Sequence, residues 1–438
     1  MQQVDLLITN ALIVTVDTHL SVIENGYVAV KVGKIIAIAE METSISFQAV
    51  KTIDASGMLI VPGLVNTHTH TGNTIYRGFA DDMYLQEWLK NYIFPLEAKF
   101  CSEETVRLSA QLSIIEMIRS GTTTFSDMYY YEHEVAKVVD EVGVRAHLAE
   151  TILDFPGPNS KTSSEGLKYT EELLQNWSNH PLIKVGVAPH APYTCNGDTL
   201  KKAKELADKY GALFHLHLSE TKTEVENCLK EHQFTPTQYL DELGVWNQNS
   251  FAVHCVHLNE KDKEVLISQK VAISHNPQSN MKLASGAAPI QDMLNKGALV
   301  AIGTDGTASN NNLNMFEEMD MAAKLQKLST NDPTSLDAKT VFQLGTIKGA
   351  ELLQWNQEIG SLEVGKKADM ILIDINQPQL TPMYNPYSHL IYAMNGSEVQ
   401  TVIINGRIVM ENRKLTTIDE EEVLDKVKFL AKKIAKEF

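Results

Sequence analysis

An apolar run opens onto two histidines separated by a single residue in GLVNTHTHTGN, residues 63–73. Positions i and i+2 of a strand project to one face, so His68 and His70 can reach the same metal ion while Thr69 points away. Alone, such a pair is a weak signal, because many are incidental polar residues on a solvated strand. Two further residues strengthen it. His217 in FHLHLSE and Asp305 in IGTDG add a third imidazole and a carboxylate, a donor set suited to Zn2+ or another divalent first-row metal. Glu220 follows His217 by three residues, past the strand and close to the metal without having to bind it. A carboxylate beside an activated water can move a proton to a leaving group. The plainer reading of Glu220 is an acid opening the next helix, with Ser219 as its cap in SETKTEVE.

Periodicity leaves two choices open. His215 and His217 share a strand face; His217 is preferred as the one nearer the C-terminal end, which leaves His215 a layer deeper as a hydrogen-bonded core histidine. In VHCVH, His254 and His257 are three apart and cannot share a strand face, so the inward one depends on where the strand ends.

These residues need a scaffold that brings distant segments together. Eight short β-branched runs, from MLIVPGLVNTHTH through LVAIGTDG, alternate with stretches of helical periodicity. One such helix, SEETVRLSAQLSIIEMIRSG, opens with Ser102 as N-cap and closes at Gly121. Strands alternating with helices imply a parallel sheet, and eight units match an α/β fold of the (β/α)8 TIM-barrel type. Side chains at the C-terminal strand ends of such a barrel converge on one face. In chain order those ends carry His68 and His70, His190, His217 with Glu220 beyond it, His254, His275 and Asp305. Six of the 14 histidines at strand ends is hard to explain by packing.

Residues 4–55 read as a meander of short strands, and the same texture returns in GSLEVGKKADMILIDI and VQTVIINGRIVMENRKL. A small β-sandwich built from both termini is the economical reading: residues 1–58 and 358–416 form it, residues 59–357 form the barrel, and 417–438 form an amphipathic terminal helix for packing or dimer contact. The N-terminus reads as a first strand rather than a signal peptide. A formal charge of −17 argues against nucleic-acid or anionic-membrane binding, which needs a basic face. The four scattered cysteines, without C-x-x-C spacing, look like the free thiols of a cytoplasmic protein, and a homo-oligomer is expected.

VPGLVNTHTH, PHAPYT, HLHLSET, VHCVHL, SHNPQSNMKLASGAAPI and IGTDGTASNNNLNMFEEM, followed by GSLEVGKKADMILID, together resemble the amidohydrolase superfamily over essentially the whole chain. More narrowly the run is similar to its 5′-methylthioadenosine/S-adenosylhomocysteine deaminase branch, which has close relatives acting on triazines. The resemblance implies one divalent metal, zinc, held by His68, His70, His217 and Asp305, and a small nucleoside as substrate. It implies that Glu220 shuttles a proton from water to the purine N1, that His254 rather than His257 hydrogen-bonds the attacking oxygen, and that Asp305 passes a proton to the departing ammonia. It also implies substrate contacts from Glu97, otherwise an ordinary exposed helix acid, and from His190.

One position departs from the branch. Where an arginine is expected after the third barrel strand, Glu150 stands in LAETILDF, with Arg145 earlier on the strand as a buried structural partner. Without that guanidinium a homocysteine carboxylate lacks its fork, which favours methylthioadenosine, 5′-deoxyadenosine or adenosine over S-adenosylhomocysteine. The H-x-E and P-C-x-x-C signature of the smaller zinc deaminases of nucleic acid is absent. The competing readings are an amidohydrolase acting on a guanine- or triazine-type ring, and a non-catalytic scaffold that has lost its metal.

Overall fold

The structure is a computed structural model that describes residues 2–41, 46–177 and 179–438. Five strands come first: β1 (Gln2–Val14), β2 (Val22–Lys31), β3 (Lys34–Glu40), β4 (Phe47–Asp54) and β5 (Met58–Pro62). Next are β6 (Leu64–Thr69), β7 (Thr122–Tyr129), β8 (Arg145–Ile152), β9 (Ile183–Val185), β10 (Ala188–Pro189), β11 (Phe214–Leu218), β12 (Ser250–His254), β13 (Ala272–His275) and β14 (Val300–Ile302). The chain closes with β15 (Met370–Asp374), β16 (Val399–Ile404), β17 (Arg407–Glu411) and β18 (Lys414–Leu415).

Strands β6 to β14 pair in parallel and helices separate them, except that β9 and β10 follow each other directly and both pair with β8. Two sheets, β6-β7-β8 with β9 and β10, and β11-β12-β13-β14, are joined by a parallel bridge between Val187 and Phe214. The circuit is completed where Asp305 N–H donates to the His68 carbonyl at 2.9 Å. The result is an α/β barrel. Every residue of β7 and β8 is buried, as expected of strands covered on both faces.

The run MLIVPGLVNTHTH, read as one barrel strand, divides at Gly63. Met58–Pro62 pairs parallel with β1 and antiparallel with β15, so it belongs to the terminal sheet, four residues past the expected boundary at 58/59. Only Leu64–Thr69 enters the barrel. A Cβ on Gly63 would lie 2.1 Å from the Thr123 hydroxyl, so the chain crosses between the two units where only glycine fits.

Strands from both termini make one nine-stranded sheet, ordered β18-β17-β16-β15-β5-β1-β2-β3, with β4 on the flank of β1. Ile35 N–H to the Lys366 carbonyl and Ala368 N–H to the Gly33 carbonyl, each 2.9 Å, bring the β3 end back to the segment before β15. The sheet thus wraps around a shared core that includes Ile8, Ile13, Val28, Ile60, Met370 and Leu372.

A buried ion pair ties this unit to the barrel. Arg145 Nε and Nη2 donate to the two Asp369 carboxylate oxygens at 3.0 and 3.2 Å. Arg145 is therefore the buried structural partner the sequence suggested.

Ser102 accepts from Thr105 N–H to cap Glu103–Arg119, which has two acids in its first turn. The terminal helix Glu420–Glu437 packs onto it through Val423, Leu108 and Ile115, with Arg119 paired to Glu420. Among the described residues no helix is long and apolar enough to cross a membrane.

Candidate active site

The strand ends do converge. His68 is the fifth residue of β6, and His70 sits just past its end. His70 Nδ1 bonds the Met128 carbonyl on β7, and His217 Nδ1 donates to the His190 carbonyl at 2.8 Å. A carbonyl can only accept, so both rings donate from Nδ1 and turn Nε2 inward. Nε2 of His217 and Nε2 of His68 are 3.2 Å apart; Asp305 Oδ1 lies 3.2 Å from His70 Nε2 and 3.5 Å from His68 Nε2. One ligand atom from each of His68, His70, His217 and Asp305 falls within 4.8 Å of the others, a group that could hold one metal ion. Three imidazole nitrogens and a carboxylate oxygen, with His70 and His217 already anchored on their far sides, fit a borderline divalent ion such as zinc.

Asp305 is held tightly. Its φ of 62° is left-handed, its Oδ1 accepts from Gly306 N–H, and its Oδ2 accepts from Ser279 at 2.5 Å and Ser309 at 2.9 Å. Burial opposes its charge, but hydrogen bonds from His68 and His70 outweigh burial and keep the carboxyl well below the usual range. The same carboxylate lifts His70 to about 9 against the effect of burial. Burial, the larger influence at His68, brings that ring down to about 4.

At the end of β12, His254 points inward and His257 does not. His254 and Cys255 both adopt positive φ, 72° and 52°, strain of the kind that collects at functional sites. His254 Nδ1 contacts Asn280 Oδ1 at 2.9 Å, while Nε2 lies 3.8 Å from Glu220 Oε2. His257 bonds the Ser285 carbonyl instead. His215 lies deeper, stacked flat on Phe251 with centroids 4.3 Å apart. Its ring nitrogens have no hydrogen-bond partner among the described residues, so the expected hydrogen-bonded neighbour is replaced by a ring face, and burial keeps it neutral. His275 ends β13, fully buried and outside the cavity lining.

Glu220 is buried, and burial raises its pKa. The helix after it starts at Lys222 with Thr221 as N-cap, not Ser219. Ser219 instead takes a left-handed φ of 49°, and Glu224 accepts from the Ser219 and Glu220 N–H groups at 2.8 Å each. That clamp fixes the backbone from which Glu220 projects.

These groups line one cavity. Opposite the polar cluster, Leu85, Trp88, Leu89, Ile93 and Phe94 form an apolar wall on the helical stretch that runs from Leu85 to Phe100. Glu97 rises from that stretch. It is 5% exposed, contrary to an exposed helix acid, and Tyr129 donates to it at 2.8 Å. Burial pushes it up to about 7, although Tyr129 and His70 pull the other way. His190 also lines the cavity, with Nδ1 3.0 Å from the Thr194 hydroxyl, and burial lowers it to about 3.

Glu150 is elsewhere. It accepts from Glu132 N–H at 3.1 Å and Asn159 Nδ2 at 2.7 Å, and is fully buried behind the strand. Its neighbour Thr151 faces the cavity in its place, so Glu150 does not act on substrate choice through the cavity lining. Sequence reasoning missed Tyr129, Asn280 and the apolar wall. The run DMYYY at the end of β7 was the available signal for Tyr129; the wall residues follow no strand-end rule and gave none.

An amidohydrolase family model matches residues 59–409. The chain is 44% identical over 431 residues to a 5-methylthioadenosine/S-adenosylhomocysteine deaminase of Syntrophobacter fumaroxidans, covering 98% of each chain. It is 47% identical over 395 residues to a 5′-deoxyadenosine deaminase of Methanobrevibacter smithii, covering 89% of this chain and 90% of the other. Among solved structures, a zinc-bound adenosine deaminase from Xanthomonas campestris superposes with a TM-score of 0.97 at 36% identity over 99% of both chains. The strand-end cluster, its barrel and these likenesses agree: the chain belongs to the amidohydrolase family.

Proposed function

We propose that the protein is a zinc-dependent hydrolytic deaminase of adenosine-type nucleosides, releasing ammonia and the inosine analogue. The observation that carries this reading is one cavity holding a three-histidine, one-aspartate cluster, the facing pair Glu220 and His254, and a buried, cavity-facing Glu97. Relatives named for deamination of methylthioadenosine and 5′-deoxyadenosine support it.

His68, His70, His217 and Asp305 would hold the metal, which when bound lowers the pKa of water towards neutrality. Glu220, whose pKa burial raises, accepts one proton from the attacking water and delivers it to N1 of the purine. His254 Nε2, which faces Glu220, hydrogen-bonds the incoming water and aims its oxygen at C6. Asp305 takes the second proton from the oxygen that has added at C6 and passes it to the amino group; the C6–N bond then breaks and ammonia leaves. Glu97 accepts hydrogen bonds from ribose hydroxyls, and His190 contacts the substrate beside it. A ring without ribose would leave Glu97 buried with only the hydroxyls of Tyr129 and Tyr130 as donors, which weighs against a guanine- or triazine-type substrate. We also read the wrapped terminal sheet as the small β-sandwich expected from both termini, on the strength of its shared core.

The test is ammonia release by the zinc-loaded protein from methylthioadenosine, 5′-deoxyadenosine, adenosine, S-adenosylhomocysteine, guanine and melamine. Release from an adenosine compound is expected; release from none of them overturns the reading.

A further inference from the structure

Asn280 belongs to the short helix Pro277–Lys282, which follows β13 and leads into Leu283 on the cavity lining. It is completely buried, and its backbone is fixed at both ends: its N–H donates to the Asn276 carbonyl at 3.1 Å, and its carbonyl accepts from Ser285 N–H at 2.8 Å. Its side-chain oxygen lies 2.9 Å from His254 Nδ1. An amide oxygen has no proton to give, so across this contact, shorter than the 3.5 Å from Asn276 Nδ2 to the same nitrogen, the ring is the donor. In a neutral imidazole the proton on Nδ1 leaves the lone pair on Nε2, the nitrogen that faces Glu220 at 3.8 Å.

The residue before it works on the opposite side of the same cluster. Ser279 Oγ donates to Asp305 Oδ2 at 2.5 Å. Two consecutive side chains on one turn therefore reach two groups that meet the reacting atoms. Pro277 sets the start of the turn at a position where its missing N–H costs nothing.

We propose that Asn280 is a positioning residue that fixes the tautomer and direction of His254, so that Nε2 presents a lone pair to a hydrogen of the attacking water. This rests on the deaminase reading above and adds to it a defined starting state: His254 enters the reaction as an acceptor at Nε2, not as a donor. A reversed amide would place Nδ2 against the ring, make Nδ1 the acceptor and move the proton to Nε2. The two arrangements assign opposite roles to the same ring, and they are separable by experiment.

Asn280→Asp offers only acceptor oxygens to Nδ1, whereas Asn280→Leu offers none at similar size. With zinc content measured in each protein, Asn280→Leu is expected to keep its metal and KM while kcat drops about 100-fold, the scale of a misaimed reacting group. Asn280→Asp is expected to recover at least about tenfold of that loss. A second readout needs no substitution at Asn280. Histidine 15N shifts of the zinc-loaded wild-type protein, assigned to His254 by comparison with His254→Asn, are expected to show Nδ1 protonated and Nε2 free. A proton on Nε2, an Asn280→Asp variant as impaired as Asn280→Leu, or wild-type kcat in Asn280→Leu would each overturn the proposal. Absence of ammonia release by the wild-type protein would instead overturn the underlying reading.

Discussion

Asp305 and Glu97 line the same cavity, each 5% exposed, yet their protonation differs in opposite directions. Asp305 sits on the strand-end side, among three histidines, two serine hydroxyls and a backbone N–H. Those neighbours more than offset burial and keep it charged. Glu97 sits on the helical wall, where burial dominates over the hydrogen bonds that Tyr129 and Tyr130 donate to it. Equal burial therefore gives a committed anion on one wall and a carboxyl poised near pH 7 on the other. The first suits permanent charge such as a cation; the second suits a ligand that brings its own donors, such as ribose hydroxyls.

Substitutions can break that contrast. Asp305→Asn should have the largest effect, loss of zinc together with a fall in kcat of more than about 1,000-fold, read by metal analysis and ammonia assay. Glu220→Gln should keep full zinc content but lose about 100- to 1,000-fold in kcat, because proton transfer is removed without touching a ligand. Full activity in that variant would remove Glu220 from the mechanism. On the other wall, Glu97→Gln should act mainly on KM, raising it about 10- to 30-fold as a charge-assisted hydrogen bond is lost, with kcat less affected. An unchanged rate would favour a substrate without ribose.

The smallest effect sharpens the contrast through pH. Below about 7 Glu97 is protonated, so its carboxyl loses an accepting oxygen; above that value it is the anion. The kcat/KM of the wild-type protein should therefore fall as pH drops below about 7. Glu97→Gln should lose that part of the acid limb. Retention of the whole limb in the variant would assign it to another group, Glu220 being the first to examine.

The same two walls differ in how far the sequence discloses them. His68, His70, His217 and Asp305 lie at strand ends, where period-2 geometry and the barrel rule convert position into direction. The choice of His254 over His257 was open to periodicity, because it turns on two left-handed residues that no strand pattern announces. Glu97 and the apolar wall come from helices inserted between β6 and β7, outside the barrel's repeat, so only family resemblance pointed to Glu97. Glu150 shows the limit of that resemblance. Its position on β8 was legible, but strand alternation turns it behind the sheet and brings Thr151 to the cavity. The division of the first predicted strand at Gly63 was likewise hidden, since the apolar run MLIVP continues through Gly63 into Leu64 and Val65 without a change of pattern.

The most direct test of the account is ammonia release from 5′-methylthioadenosine by wild-type protein and by Glu220→Gln at equal, measured zinc content. One ammonia per nucleoside from the wild-type protein, and turnover near or below about 1% of it from the variant, is the expected result. No ammonia from the wild-type protein, or equal release from both, would contradict it.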